Sequence, residues 1–408
     1  MENAKSYNKL SVLTVLIVLG MFFLYIAQMN PSAVLTMIEE EYGIDAATSG
    51  LGVSIIFIPI ILFQLVGSYI QDRIGLKKMY ICSLLTGGLG IMANLIANSF
   101  LMFCVGRVLY GIGFGLSTPF IGAAIMHWYN PKQQVTMDTV NALFPYFANV
   151  LVFGLTIPLV TLFGGSWQAS LSLWGFLCII VLIAWVIGVK DEGPLKIEQE
   201  ETTQSTDDKS IYGNIIKRKE IIILLIAFVC DFISYSIISI LLPTYFQRDH
   251  GFSIELANNL TLIFPIAGIA GGLIAYAVMA RTGRRKTLLW LGQAMKVVGA
   301  VLIYVGKTTL FGYAGIALVG MGNCIWIPPM FVVPMELEGM TPTRVGAAFS
   351  LITSCGFAAG FIAPVIAGWL SASFSYGFAI FLCAFPCLIG LIACLMIRET
   401  GPGAKQRT

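Results

Sequence analysis

The tract from Phe378 to Ile397 runs twenty residues without a charged side chain, and a chain that repeats this pattern along its length cannot fold around a core in water. A bilayer span needs about 20 mostly apolar residues. Ile221 to Leu242 is a second such stretch, with Asp231 as its one charged residue. These runs are apolar on every face, whereas a transmembrane barrel strand alternates between lipid and a polar lumen. A barrel is therefore excluded, and helical spans are expected.

Charge supports the same solvent. Only 11% of the 408 residues are charged, against about 25% in an ordinary soluble domain. Fourteen of these charges crowd between Lys190 and Glu220, a connector rich in Glu, Gln, Thr, Ser and Asp that suits a solvated linker. The net charge of +3 gives no reason to invoke nucleic acid. The nine cysteines lie inside apolar stretches with no C-x-x-C pair, and they read as small packing hydrophobes. His127 and His250 are too far apart for a metal site, so neither metal nor cofactor is expected. The first apolar run outlasts a signal-peptide core and is read as a retained helix.

Hydropathy gives twelve helices, near 11–38, 47–70, 79–97, 101–127, 135–162, 167–189, 220–247, 256–280, 287–306, 308–333, 343–370 and 375–397. With the N-terminus inside, the inner loops collect Lys5, Lys9, Arg73, Lys77, Lys78, Lys132, Arg218, Arg281, Arg284, Arg285, Lys286, Arg344, Arg398, Lys405 and Arg407, and the outer loops only Arg248 and Lys307. The positive-inside rule then puts both termini in the cytoplasm. Acidic Glu39, Glu40, Glu41 and Asp45 fall in the first outer loop. The expected organisation is an N-terminal six-helix bundle over 1–189, a hydrophilic linker over 190–219, a C-terminal six-helix bundle over 220–397 and a tail over 398–408.

A short basic turn recurs. Asp72-Arg73-Ile74-Gly75-Leu76-Lys77-Lys78 follows the second helix and Ala280-Arg281-Thr282-Gly283-Arg284-Arg285-Lys286 follows the eighth, with their glycines 208 residues apart. Recurrence at half the chain length is what a duplicated bundle leaves behind. Any cytoplasmic turn gathers Lys and Arg, but the shared Arg-x-Gly does not follow from that.

On these residues the chain resembles the major facilitator superfamily of secondary transporters. The family's loop motif G-x-x-x-D-R-x-G-R-K is matched at Asp72, Arg73, Gly75 and Lys77, and departs at Ser68 and Leu76. A second motif, R-x-x-x-G-x-G-x-G on the fourth helix, is matched by Arg107, Gly111, Gly113 and Gly115; its second-half counterpart keeps Gly320 and Gly322 without the Arg. The resemblance implies an all-α membrane protein of two six-helix bundles related by a pseudo-two-fold repeat, moving a solute by alternating access. It also implies a gating role for Asp72, Arg73, Gly75 and Lys77 with Arg281, Gly283 and Arg284, and a cavity lined by helices one, four, seven and ten. The exporter motif of the fifth helix, a Gly-Pro-Gly-Gly cluster, is missing, since that helix reads Asn141 to Asn149 with Pro145 alone.

Charged groups inside a span cost about 2.5 to 3.5 kcal/mol each on insertion scales, so each needs a reason. Asp231 reads as a proton acceptor or substrate counter-charge, or as the partner of Lys296 in a structural pair. Lys296, on a helix that the family places outside the cavity, reads as structural or snorkelling. Arg107, an always-charged fork on a cavity helix, suits a carboxylate or a coupling network, with helix packing as the alternative. Neutral candidates are Tyr25, Gln28 and Asn30 in helix one, Asn141 and Asn149 in helix five, Ser234 and Tyr235 in helix seven, and Asn323 and Trp326 in helix ten. Each alone is more often an interhelical hydrogen bond than a ligand. Asp138 reads as a cap or gate, and Glu336 and Glu338 as surface or gate charges. Pro31, Pro145, Pro328, Pro329 and Pro334 are expected to break or bend their helices.

The resulting expectation is a monomeric secondary transporter of a bacterial cytoplasmic membrane, carrying a small organic anion by proton-coupled symport or exchange. The competing readings are a proton-driven exporter of amphipathic compounds and a transporter-like sensor. No enzyme is expected, because no nucleophile–base pair or phosphate loop is present.

Overall fold

The computed structural model describes residues 2–129, 131–190, 217–340 and 342–400. Most of the expected linker and the tail beyond residue 400 lie outside these residues, as do the side chains of Lys5, Lys9, Ser68, Lys132, Asp138, Ala280 and Arg344. Among the described residues there is no strand, and twelve helices are long and apolar enough to cross a membrane. They are α1 (Val12–Tyr42), α2 (Ala46–Gly67), α3 (Tyr69–Ile96), α4 (Phe100–Ile125), α5 (Leu143–Leu162), α6 (Trp167–Gly188), α7 (Lys219–Arg248), α8 (Ile254–Met279), α9 (Lys286–Gly306), α10 (Leu310–Glu336), α11 (Leu351–Ser373) and α12 (Tyr376–Met396). Each overlaps its expected span, and α3 begins ten residues earlier than expected.

The boundaries follow from local chemistry. Four of the even-numbered helices start on a serine: the hydroxyls of Ser99, Ser166, Ser253 and Ser375 accept from the backbone N–H of Met102, Ala169, Leu256 and Phe378. Such caps satisfy donors that helix starts leave open. The first basic turn is very short. Helical backbone continues through Asp72 and Lys77, and only Gly75 leaves it, at φ 81° and ψ 167°, a region that a Cβ makes costly. The matching Gly283 closes α8 in the left-handed region at φ 61°, its N–H bonded to Met279 O.

Proline interrupts two of the helices. In α1 regular helix runs to Met29, a 3-10 turn covers Asn30–Val34 with Pro31 at its start, and helix resumes over Leu35–Tyr42. In α10 the break falls at Trp326, with Pro328 and Pro329 opening the second segment, Ile327–Glu336.

The chain divides into two compact units, Met1–Ile44 with Leu51–Ile197, and Asp45–Gly50 with Glu198–Thr408. Each contains helix pairs held at very short range by glycine. In the first unit a Cβ on Gly113 of α4 would lie 2.3 Å from Gly87 N of α3, and one on Gly90 would lie 2.3 Å from Tyr110 N. In the second, a Cβ on Gly292 of α9 would meet Gly322 O of α10 at 2.7 Å, and one on Gly299 would meet Gly315 O at 2.6 Å. Small residues let backbones approach where lipid offers no hydrophobic drive. The second unit's core adds Trp326, Phe228, Leu289, Ile352 and Cys394 around α7, α9, α10, α11 and α12.

Gly113→Val is expected to destabilise the protein by at least about 2 kcal/mol, because overpacking at this contact has only backbone to push against. Gly122→Ala, on the same helix with nothing within 4 Å of the added atom, is expected to leave the thermal midpoint in detergent unchanged or slightly raised.

Candidate functional site

Arg107 lies near the start of α4, is only 4% exposed, and spends its guanidinium on backbone carbonyls. Nη1 donates to Ala27 O at 2.8 Å, and Nη2 donates to Gln28 O at 2.9 Å and to Val53 O at 3.1 Å. Ala27 is four residues before Pro31, so its carbonyl has lost the N–H that a continuous helix would supply. Gln28 faces a 3-10 turn, whose N–H groups reach back three residues rather than four. Val53 is next to the end of the helical segment Ala46–Ser54. Arg107 thus pairs acceptors that helix breaks leave open, where water is scarce and an unpaired carbonyl is expensive.

The arrangement leaves positive charge uncompensated. Among the described residues no carboxylate pairs with Arg107, and its Nε has no hydrogen-bond partner. The Tyr110 ring lies 5.3 Å from the guanidinium carbon. Arg107, Asn30, Asn94, Tyr110 and Pro31 help line a cavity of about 10 Å³, the size of a single water. Asn30 is 1% exposed, and its Oδ1 accepts from Thr156 Oγ1 at 2.8 Å. That bond fixes the amide, and Asn30 Nδ2 remains unpaired beside the cavity.

The second unit treats its cation differently. Lys296 of α9 forms a salt bridge with Asp231 of α7, and both are buried, at 1% and 3% exposure. Lys296 therefore does not snorkel; its whole length is inside the bundle. Its Nζ is 5.3 Å from the ring centre of Trp326 on α10, and Gly322 makes room for its stem. Beside Asp231, Ser234 Oγ donates to Cys383 O at 3.1 Å and is 3.0 Å from Cys387 Sγ on α12.

The remaining candidates divide by burial. Tyr25, Gln28, Asn141 and Tyr235 are half-buried; Asn149, Asn323 and Trp326 are buried. The Tyr25 ring meets Phe114 edge-on at 5.1 Å and leans on Phe144, and Tyr235 leans on Phe232 and Phe264. Of the gating candidates, Asp72, Arg73, Arg281 and Arg284 are exposed. The Arg73 guanidinium lies 4.3 Å from the Tyr69 ring, and Lys77 Nζ donates to Val186 O at 3.0 Å. Outside the spans, Thr48 holds the Asp45 carboxyl below its usual range by hydrogen bonding.

Two groupings are absent from the sequence reading. Arg285 pairs with Glu336 at 3.2 Å, Thr400 donates to Glu336, and Glu399 accepts from the N–H of Arg285 at the start of α9. Gln293, one turn before Lys296, is fully buried with both amide atoms unpaired. The signal for Gln293 was present as an amide inside a span, but it carries no charge to draw attention.

Twelve apolar helices, two units with matching glycine contacts and buried cations make this a helical multi-pass membrane protein. Residues 17–338 match the family model described as Major Facilitator Superfamily, and the chain belongs to that family of membrane transporters. A hexuronate transporter of Bacillus subtilis is 23% identical over 385 residues, covering 90% of this chain and 88% of that one. A protein of Cupriavidus necator named "Probable sulfoacetate transporter" is 21% identical, covering 86% and 84%. The crystal structure of a D-xylose–proton symporter matches the fold with a TM-score of 0.75 at 16% identity, over 97% of this chain and 99% of that one.

Arg107→Lys keeps the charge but cannot serve three carbonyls at once. It is expected to lower stability by about 2 to 4 kcal/mol, read as a fall in the thermal midpoint in detergent. An unchanged midpoint would remove Arg107 from its role as the pin of the breaks.

Proposed function

We propose that the protein is a secondary active transporter of a small organic anion, a carboxylate, working by alternating access in a bacterial cytoplasmic membrane with protons as the coupling ion. The observation that carries this reading is the contrast between the two buried cations. Lys296 is neutralised by Asp231, whereas Arg107 has backbone partners and, among the described residues, no counter-charge. A net positive charge in a medium of effective dielectric about 20 attracts an anion some 8 Å away by about 2 kcal/mol, and repels a cation equally. The relatives named for hexuronate and sulfoacetate carry organic anions, which supports the same substrate class.

In this reading the half-buried Tyr25, Gln28, Asn141 and Tyr235 are the neutral groups that a solute reaches. Buried Asn149, Asn323 and Trp326 organise the bundles behind them. Asp231 takes the coupling proton, and Asp72, Arg73, Gly75 and Lys77 with Arg281, Gly283 and Arg284 serve the gate. A buried carboxylate paired with a lysine is a natural proton site, because one proton decides whether the pair is held together.

The test is uptake of a radiolabelled organic-acid panel by proteoliposomes with and without an imposed pH gradient. Accumulation of at least one acid, enhanced by an inward proton gradient, is expected. Gradient-driven dye efflux with no acid uptake would replace the reading by an amphipathic exporter, and absence of any flux by a sensor. Asp231→Asn should retain substrate counterflow and lose proton-driven accumulation; retained accumulation would make Asp231 structural.

A further inference from the structure

The Lys296–Asp231 pair has a neighbour that the proposed function leaves unused. Gln293 is on the same helix as Lys296, three residues earlier, so the two share a face. That face meets one stripe of α12: Gly390 lies against the Gln293 amide, with a Cβ there 3.1 Å from its Cδ and Oε1. The Cys387 and Cys394 thiols of the same stripe face Lys296, as does Cys230 of α7. From α10 the cation is faced by the Trp326 ring. Asp231 is the one carboxylate paired with Lys296 among the described residues.

Gln293 is 0% exposed, and neither Oε1 nor Nε2 has a partner. An amide buried with both ends unpaired costs several kcal/mol in this state, and such a group calls for a role in another. An ammonium carries three N–H donors, and a proton arriving on Asp231 turns its charged acceptor into a neutral acid. The stranded cation then needs an acceptor within reach of its own side chain. Gln293 Oε1, one turn away and unoccupied, is that acceptor.

We propose that Gln293 is the second seat of Lys296: protonation of Asp231 hands the ammonium from the Asp231 carboxylate to Gln293 Oε1, making Gln293 a positioning residue for proton coupling. The inference rests on the coupling role given to Asp231 above. The step balances simply. A proton from the aqueous phase forms an O–H bond on Asp231, Lys296 keeps all its protons, and the local charge rises from zero to +1. A monoanion entering with that proton restores neutrality. The Trp326 face steadies the cation in both positions.

The test compares full-length wild type, Asp231→Asn, Gln293→Leu and Gln293→Met in proteoliposomes, with a second readout by infrared difference titration of the carboxyl C=O band that disappears in Asp231→Asn. Gln293→Leu and Gln293→Met should keep counterflow within about twofold of wild type. Their pH-gradient-driven accumulation should fall about tenfold, and the carboxyl band should titrate about one pH unit lower, because the protonated state has lost its acceptor. Methionine preserves the length of glutamine and keeps the question answerable if leucine disrupts packing. A wild-type midpoint of the band in either variant overturns the role of Gln293. If wild-type uptake ignores the pH gradient while the band still shifts in the variants, the transport coupling fails and the hand-over survives.

Discussion

In hydrocarbon, a carbonyl freed from its helix has no water to turn to, and the architecture around Arg107 follows from that constraint. Pro31 takes away the N–H that Ala27 O would use, the 3-10 turn over Asn30–Val34 shortens the reach of the next donors, and the segment containing Val53 ends nearby. One guanidinium, with donors fixed in a fork, reaches all three carbonyls. A lysine at that position would supply a point charge with no such geometry. The broken helix and the buried arginine therefore explain each other, and removing either leaves the other unsatisfied.

Comparing the two units shows where the duplication was kept and where it was abandoned. Gly111 and Gly320 both press against the preceding even-numbered helix, on Ile56 O and Phe264 O, and both stand 209 residues apart, as do Gly113 and Gly322. The latter two press against α3 and α9, on Gly87 and Gly292. Scaffold contacts survive in both copies because either helix pair fails if a side chain intrudes. The cation does not survive in place. At the offset of 209 between α4 and α10, Arg107 corresponds to Ile316, and at the offset of 205 that aligns Gly87 with Gly292, Lys296 corresponds to Ile91. Among the described residues each unit buries one cation, on α4 in the first and on α9 in the second, and only the second pairs it with a carboxylate.

Much of this was legible beforehand. The twelve spans, the two glycine motifs and the three embedded charges stand out because polarity inside an apolar run is rare and costly. The pairing of Lys296 with Asp231 was one of two open readings, since 65 residues separate them and helix rotation decides whether they meet. The basic turn is legible from its composition, but its shortness is not, because composition reports solvation rather than backbone angle and Gly75 alone leaves the helical region. Asn30 with Thr156, Gln293 beside Lys296, and Glu399 on α9 were not seen as groups. Neutral amides barely disturb a hydropathy profile, and contacts spanning more than a hundred residues leave no local trace.

Under the proposed proton coupling, the charge distribution also restricts the charge of the substrate. With the carboxylate of Asp231 ionised, the second unit's buried pair is neutral, while the first keeps one uncompensated cation on Arg107. In the proposed cycle, a carboxylate drawn in by Arg107 would bring these buried charges to zero, and a proton taken up by Asp231 would then add one positive charge, which a second negative charge on the substrate would cancel. A dianion fits this balance better than a monoanion when both sites are occupied together. A monoanion fits it when Arg107 remains bound to its carbonyls and the substrate answers only the charge released on Lys296. The two cases differ in whether the α1 carbonyls of Ala27 and Gln28 must give up their guanidinium during transport. Releasing it strands carbonyls that the break at Pro31 has already deprived of helical donors, so the case in which Arg107 stays bound is the less costly.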